Sequence, residues 1–188
     1  MVNLVIFASG SGTNAENIIK YFEKHPTIRV KGVFTNNPDA GVIERCKKLK
    51  VPVKVFTKNE LESPGFLSNL KDVDFIILAG FLLKIPEYLV QHFHRRILNI
   101  HPALLPKFGG KGMYGRHVHN AVIEKKETHS GITIHLVNEE YDQGDILFQK
   151  SIQLDKNETV ESLENKIHQL EYKYYPRIIE EFITSLHE

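Results

Sequence analysis

Val2-Asn3-Leu4-Val5-Ile6-Phe7 runs straight into Ala8-Ser9-Gly10-Ser11-Gly12, and Thr13-Asn14-Ala15-Glu16 then opens an amphipathic pattern. A short β-branched run, a small-residue loop and a helix start make the first unit of an α/β chain. Glu16, three residues after Thr13, predicts a capping box, and Ile18, Ile19 and Phe22 supply the apolar stripe. The same alternation repeats outward. Residues 30–34 and 51–56 read as strands, with a helix over 42–49 between them. Residues 61–70 are weakly helical, and 74–79 are apolar apart from Asp74, as in the middle of a parallel sheet. Pro86 can open a short helix to Phe93, and 96–100 is a fifth strand. A Pro- and Gly-rich loop covers 101–115, and a helix follows to about residue 125.

Beyond that helix the pattern changes. Ile132, Ile134 and Leu136 alternate with Gly131, Thr133 and His135, which predicts one apolar and one polar strand face. Residues 146–154 form another strand. Val160, Leu163, Ile167, Leu170 and Tyr174 follow at helical spacing; Pro176 is expected to interrupt the helix before Ile178, Ile179, Phe182 and Leu186 resume the stripe. The predicted fold is α/β: a Rossmann-like, doubly wound, mostly parallel sheet with late added strands and a long C-terminal helix. The reading expects one domain over 1–188.

Lysine plus arginine number 24 and aspartate plus glutamate 23, a formal net charge of +1. That balance argues against a general nucleic-acid or membrane-surface binder. The single cysteine, Cys46, allows no internal disulfide and fits a reducing, cytoplasmic compartment. The longest apolar run, 75–83, falls short of the roughly 18 residues a membrane span needs, and no signal-peptide pattern is expected at the N-terminus.

Three stretches carry chemistry. Gly10-Ser11-Gly12-Thr13-Asn14 lies where backbone N–H groups and a helix dipole favour an anion. The alternative is a plain tight turn. A dinucleotide is disfavoured because the second strand ends in Thr35-Asn36-Asn37, without an acid for the ribose. Asn99 and His101 are two apart at a strand end and project to one side, where an amide and an imidazole can polarise a carbonyl. The competing reading is a turn-forming Asn and a structural His. Asn138-Glu139-Glu140-Tyr141-Asp142-Gln143-Gly144-Asp145 is by itself a solvated hairpin loop; an Asp brought beside His101 would raise the imidazole pKa.

These stretches together resemble the glycinamide ribonucleotide formyltransferases, folate-dependent enzymes of purine synthesis. The resemblance spans most of the chain and rests on Gly10–Asn14, Leu78-Ala79-Gly80-Phe81, Asn99-Ile100-His101-Pro102 through Leu105-Pro106, the strand from Ser130 to His135, and Asp142-Gln143-Gly144. It implies that Gly12, Thr13 and Asn14 hold the substrate phosphate, and that Asn99, His101 and Asp142 are catalytic with His135 in support. Leu82, Leu83, Lys84 and Ile85, with Asn99, Glu140, Tyr141 and Asp142, would bind the folate, and Glu171 would take the ribose hydroxyls. Residues 1–100 would then be a phosphate-binding half and 101–188 a catalytic, folate-binding half. The cosubstrate would be 10-formyltetrahydrofolate, with no metal, and the partners small molecules only, in a monomer or weak homodimer. Two departures touch the folate side: Leu83-Lys84 stand where the family often has an arginine, and Gln143 where it often has glycine.

Rival readings keep the chemistry or discard it. A tRNA formyltransferase would need a further RNA-binding domain and a basic excess, and a formyl-folate hydrolase a regulatory domain, which the reading does not expect. A nucleotide-binding module explains the glycine loop and nothing at Asn99 or His101. Metal binding by His92/His94 or His117/His119 is disfavoured, because residues two apart do not share a helix face. Cys46 is expected to be half-buried and inert, although Arg45, Lys47 and Lys48 could lower its pKa.

Overall fold

A computed structural model describes residues 1–186 and resolves two compact units, Met1–Leu98 and a second beginning at Asn99. The first contains β1 (Val2–Phe7), α1 (Thr13–Phe22), β2 (Ile28–Thr35), α2 (Val42–Leu49), β3 (Val53–Val55), α3 (Lys58–Glu62), a 3-10 turn over Pro64–Leu70, β4 (Phe75–Leu78) and α4 (Glu87–His92). Its strands lie in the order β3-β2-β1-β4, all parallel. All four residues of β4 are buried, as the unbroken apolar run demands. Phe7, Phe34, Phe56, Phe66 and Phe81 pack ring on ring at the carboxyl end of this sheet, with neighbouring centroids such as Phe56–Phe66 5.1 Å apart. Strand order reverses between β1 and β4, so the loop after β1 opens at a switch point, where open α/β sheets place their ligands.

A fifth strand, β5 (Ile97–His101), carries the chain from one unit into the other. The second unit continues with α5 (Arg116–Glu124), β6 (His129–Leu136), β7 (Ile146–Gln153) and α6 (Val160–Ser185), in the strand order β5-β6-β7, with β6 and β7 antiparallel. The fold is thus α/β with a mostly parallel sheet, late added strands and a long terminal helix, as the sequence predicts. Among the described residues no helix is long and apolar enough to cross a membrane.

Four local expectations change. Pro176 does not interrupt α6, which runs unbroken through it. The ring is buried beside Tyr175, Ile178 and Ile179, so packing on the apolar face offsets the one lost backbone bond. β6 has no exposed polar face: every residue from Ser130 to Leu136 is buried, because both sides of the strand are covered. The 61–70 helix is instead the end of α3 and a 3-10 turn broken at Ser63-Pro64, where Thr57 supplies the capping box. Thr13 makes no capping box with Glu16; Gly12 caps α1 in the left-handed region, with no side-chain cap.

Candidate active site

In the first unit the glycine loop is shaped by close approach. Gly12 has φ 75°, and a Cβ there would fall 2.4 Å from the Val42 side chain. Only glycine combines that conformation with that proximity. The loop is pinned from both sides. Val42 N–H donates to the Gly10 carbonyl at 3.2 Å and Arg45 Nε–H to the Ser11 carbonyl at 2.8 Å. The Arg45 guanidinium also pairs with Glu16, which pairs with Lys20 at 2.5 Å. Hydrogen bonds from Lys20 and Arg45 hold the Glu16 carboxyl below the usual range, and this employment replaces the expected capping role. The Ser9 hydroxyl donates to Asn36 Oδ1 at 2.6 Å and accepts the Leu82 N–H at 3.0 Å. The residues at the end of β2 therefore brace the loop. Leu82, Leu83, Lys84 and Ile85 form the irregular link between β4 and α4, with Leu82 49% exposed and Ile85 buried.

The second unit gathers Asn99, His101, His135 and Asp142. Asn99 and His101 sit on alternate residues of β5, and His135 near the end of β6. His135 Nδ1–H donates to the Leu136 carbonyl at 2.8 Å. That bond fixes the tautomer, so Nε2 accepts from the Asn99 amide at 3.1 Å. Asp142 adopts φ 55° and turns its carboxylate toward both histidines, Oδ2 lying 3.6 Å from His101 Nδ1 and Oδ1 3.5 Å from His135 Nε2. Neither distance is a hydrogen bond. The direct donor to Asp142 is the Gly110 N–H, 2.9 Å from Oδ2. His101 Nε2–H donates to the Phe108 carbonyl at 2.7 Å. Gly109, between these two backbone contacts, would place a Cβ 3.3 Å from Asp142 Cβ and 2.6 Å from Leu105. The 108–110 backbone thus clasps the His–Asp pair.

Burial pushes the His101 pKa down, and it outweighs the upward pull of Asp142 and the Phe108 carbonyl. The sequence expectation of a raised pKa is corrected here: the ring is enclosed on β5, and its carboxylate stands beyond hydrogen-bond distance. Burial raises the Asp142 pKa too, but His135, His101 and the Gly110 N–H outweigh it and hold the carboxyl below its usual value. Burial thus favours the uncharged form of His101, while its surroundings favour the ionised form of Asp142.

Glu140 is exposed and its N–H donates to Asn138 Oδ1 at 3.0 Å, while Tyr141 is half-exposed beside Asp142. Glu171, which its sequence context alone makes a solvated helix residue, is buried on α6 next to fully buried Tyr175. Cys46 is completely buried rather than half-buried, and desolvation pushes its thiol up to about 11; neighbouring lysines do not activate it. Among the described residues no group of three or more His, Cys, Asp or Glu is arranged to hold a metal ion.

Sequence reasoning missed Thr133, Gln149, Phe108 and Gly110 as parts of the site. Phe108 and Gly110 act through their backbone, which leaves no side-chain signature. Thr133 was legible in one respect: it shares a strand side with His135, two residues on.

Comparison with known proteins bears on this arrangement. The profile of the formyl transferase family matches residues 2–179. A chloroplastic phosphoribosylglycinamide formyltransferase of Arabidopsis thaliana is 44% identical over 188 residues, covering 94% of this chain and 63% of the relative. The chain spans 59% of the corresponding Vigna unguiculata protein. The Bacillus subtilis phosphoribosylglycinamide formyltransferase is 34% identical, covering 97% of this chain and 95% of its own length. A crystal structure of the Bacillus halodurans phosphoribosylglycinamide formyltransferase superposes with a TM-score of 0.86 at 33% identity, covering 96% of this chain and 95% of that one. With the strand order and the Asn–His–Asp cluster already described, the family match over nearly the whole length means that this chain belongs to the formyl transferase family.

Proposed function

We propose that this chain transfers the formyl group of 10-formyltetrahydrofolate to the glycyl amine of glycinamide ribonucleotide, giving formylglycinamide ribonucleotide in cytoplasmic de novo purine synthesis. Residues 1–188 act as one catalytic domain, monomeric or weakly dimeric, on small-molecule partners and without a metal. The observation that carries the reading is the convergence of Asn99, His101, His135 and Asp142, with 2.7–3.1 Å bonds fixing the orientation of each. The donor set suits the group to be handled: two neutral N–H donors for a carbonyl oxygen, and a carboxylate for a proton in transit.

Bound folate supplies the electrophilic formyl carbon. The Asn99 amide and His101 Nε2–H donate to the carbonyl oxygen as it gains negative charge. His101 does so as a neutral ring, and it must first exchange the Phe108 carbonyl for the substrate's oxygen. As the tetrahedral adduct collapses, the bond between the formyl carbon and the folate nitrogen breaks. Asp142, held ionised, orients a water that carries the proton from the attacking amine to that leaving nitrogen rather than storing it itself. His135, locked by Leu136, keeps Asn99 aimed. The backbone at Gly12, Thr13 and Asn14 takes the ribonucleotide phosphate at the start of α1. Leu82, Leu83, Lys84 and Ile85, with Glu140 and Tyr141, meet the folate, and Glu171 accepts from the ribose hydroxyls.

The test is a folate-absorbance assay with glycinamide ribonucleotide as acceptor, run beside a no-acceptor control. Folate release only with the acceptor supports the transferase. Release in both arms points to hydrolysis, and release in neither removes the assignment.

A further inference from the structure

Thr133 lies on β6 two residues before His135 and is fully buried. Its hydroxyl donates to the Ala103 carbonyl at 2.7 Å. It accepts the Leu105 N–H at 3.0 Å and the Gln149 side-chain amide at 2.9 Å. One donor and two acceptor sites are all a hydroxyl has, so Thr133 is saturated. The same Gln149 amide donates to the Leu105 carbonyl at 2.9 Å. Three backbone groups of the 103–105 segment are therefore held by two side chains from β6 and β7. Packing supports the polar contacts. Ala103 and Leu105 are buried, and Leu104 lies where a Cβ on Gly131 would come within 2.8 Å of it.

The held segment is the short chain joining two groups that meet in the site. Two residues before its start is His101, and three residues past its end is Phe108, whose carbonyl takes the His101 Nε2–H. Displacing 103–105 changes the relation of ring to carbonyl without touching either. A misplacement of about 1 Å at such a distance from the chemistry can cost about 10²-fold in rate.

We propose that Thr133 and Gln149 are positioning residues: together they hold the 103–105 segment so that the His101 ring is presented in its working orientation. The inference rests on the assignment of His101 to the transfer step.

The experiment compares Gln149→Leu, Thr133→Val and Thr133→Ser with the wild type. Gln149 is exposed, so Gln149→Leu removes two bonds at little risk to folding and carries the test if Thr133→Val does not fold. Turnover should fall about 10-fold in Gln149→Leu and about 10²-fold in Thr133→Val, with the Michaelis constants of both substrates within about threefold. Thr133→Ser keeps the hydroxyl and should return turnover to within about threefold of wild type. The second readout is the NMR titration of the His101 ring, which should shift in Gln149→Leu and Thr133→Val and not in Thr133→Ser. An unchanged His101 titration in Gln149→Leu overturns the proposal whatever the activity, and so does a loss of melting temperature with turnover intact. If His101→Ala keeps full activity while the ring signals shift as expected, the fault lies with the role given to His101 and not with the clasp.

Discussion

Lowering the pH from 7.5 to 5 should strip stability from this protein through His119. The residue sits on α5, 2% exposed, and among the described residues its Nδ1 has no hydrogen-bond partner. Burial pushes its pKa from 6.5 down to about 4. Glu164 pulls the other way, while His168, Arg116 and His101 add to the depression. The folded state therefore keeps the ring neutral, and the unfolded chain takes up a proton near 6.5. His119's contribution is complete above 6.5, shrinks as the pH falls, and is gone below about 4. The gap between the two values is worth about 3 kcal/mol in all, of which about 2 kcal/mol is lost by pH 5. For a chain of this size that is about 4–8 °C in melting temperature. The measurement is urea unfolding at pH 7.5, 6 and 5 for the wild type and His119→Leu, which fills similar space without a titrating group. Other groups titrate in both proteins, so the difference between them reports the ring. The variant should match or exceed wild-type stability at pH 7.5 and lose about 2 kcal/mol less by pH 5. Parallel pH dependences in the two proteins would refute the reasoning.

Three further outcomes follow from the sites. Asp142→Asn should cut turnover by about 10²–10⁴-fold and lower the His101 pKa, because the carboxylate is its chief upward influence; an identical NMR titration in both proteins would remove Asp142 as its partner. Glu171→Gln should raise the Michaelis constant for the ribonucleotide and spare that for the folate, since an amide accepts fewer hydroxyl protons than a carboxylate; steady-state kinetics that do not change would take Glu171 out of the site. Gly12→Ala should cost about 1 kcal/mol or more in thermal unfolding and weaken ribonucleotide binding beyond folate binding, because φ 75° and the Val42 contact oppose a Cβ; an equal effect on both substrates in titration calorimetry would place the phosphate elsewhere.

Period and punctuation made the strands legible. Runs such as Leu4–Phe7 and the four residues of β4 are apolar for one reason, burial on both faces, and the structure buries them. Asn99, His101 and Asp142 were legible as chemistry because side chains carry it. Their setting was not. The clasp is made of the Phe108 carbonyl and the Gly110 N–H, groups every residue has. Burial of His101 reversed the expected direction of its pKa, and burial depends on what β5 packs against rather than on its neighbours in sequence. Pro176 misled for a similar reason, since local propensity stops a helix and tertiary packing on α6 carries it through. The capping box at Thr13 was outbid by long-range partners, Arg45 reaching across from α2 to Glu16.

The turn at 142–144 divides its three positions by how freely they can change. A Cβ at Gly144 would come 1.7 Å from the Leu136 carbonyl, and Asp142 is already in the left-handed region. Any side chain at 144 would push the backbone off the end of β6 and carry the carboxylate away from both histidines. Gln143 between them is exposed. Of the three positions, the middle one is therefore where a side chain can change with least effect on the backbone. A substitution at Gln143 would change what the surface offers a ligand while leaving the backbone that aims Asp142 in place, so specificity at this corner is separable from the chemistry beneath it.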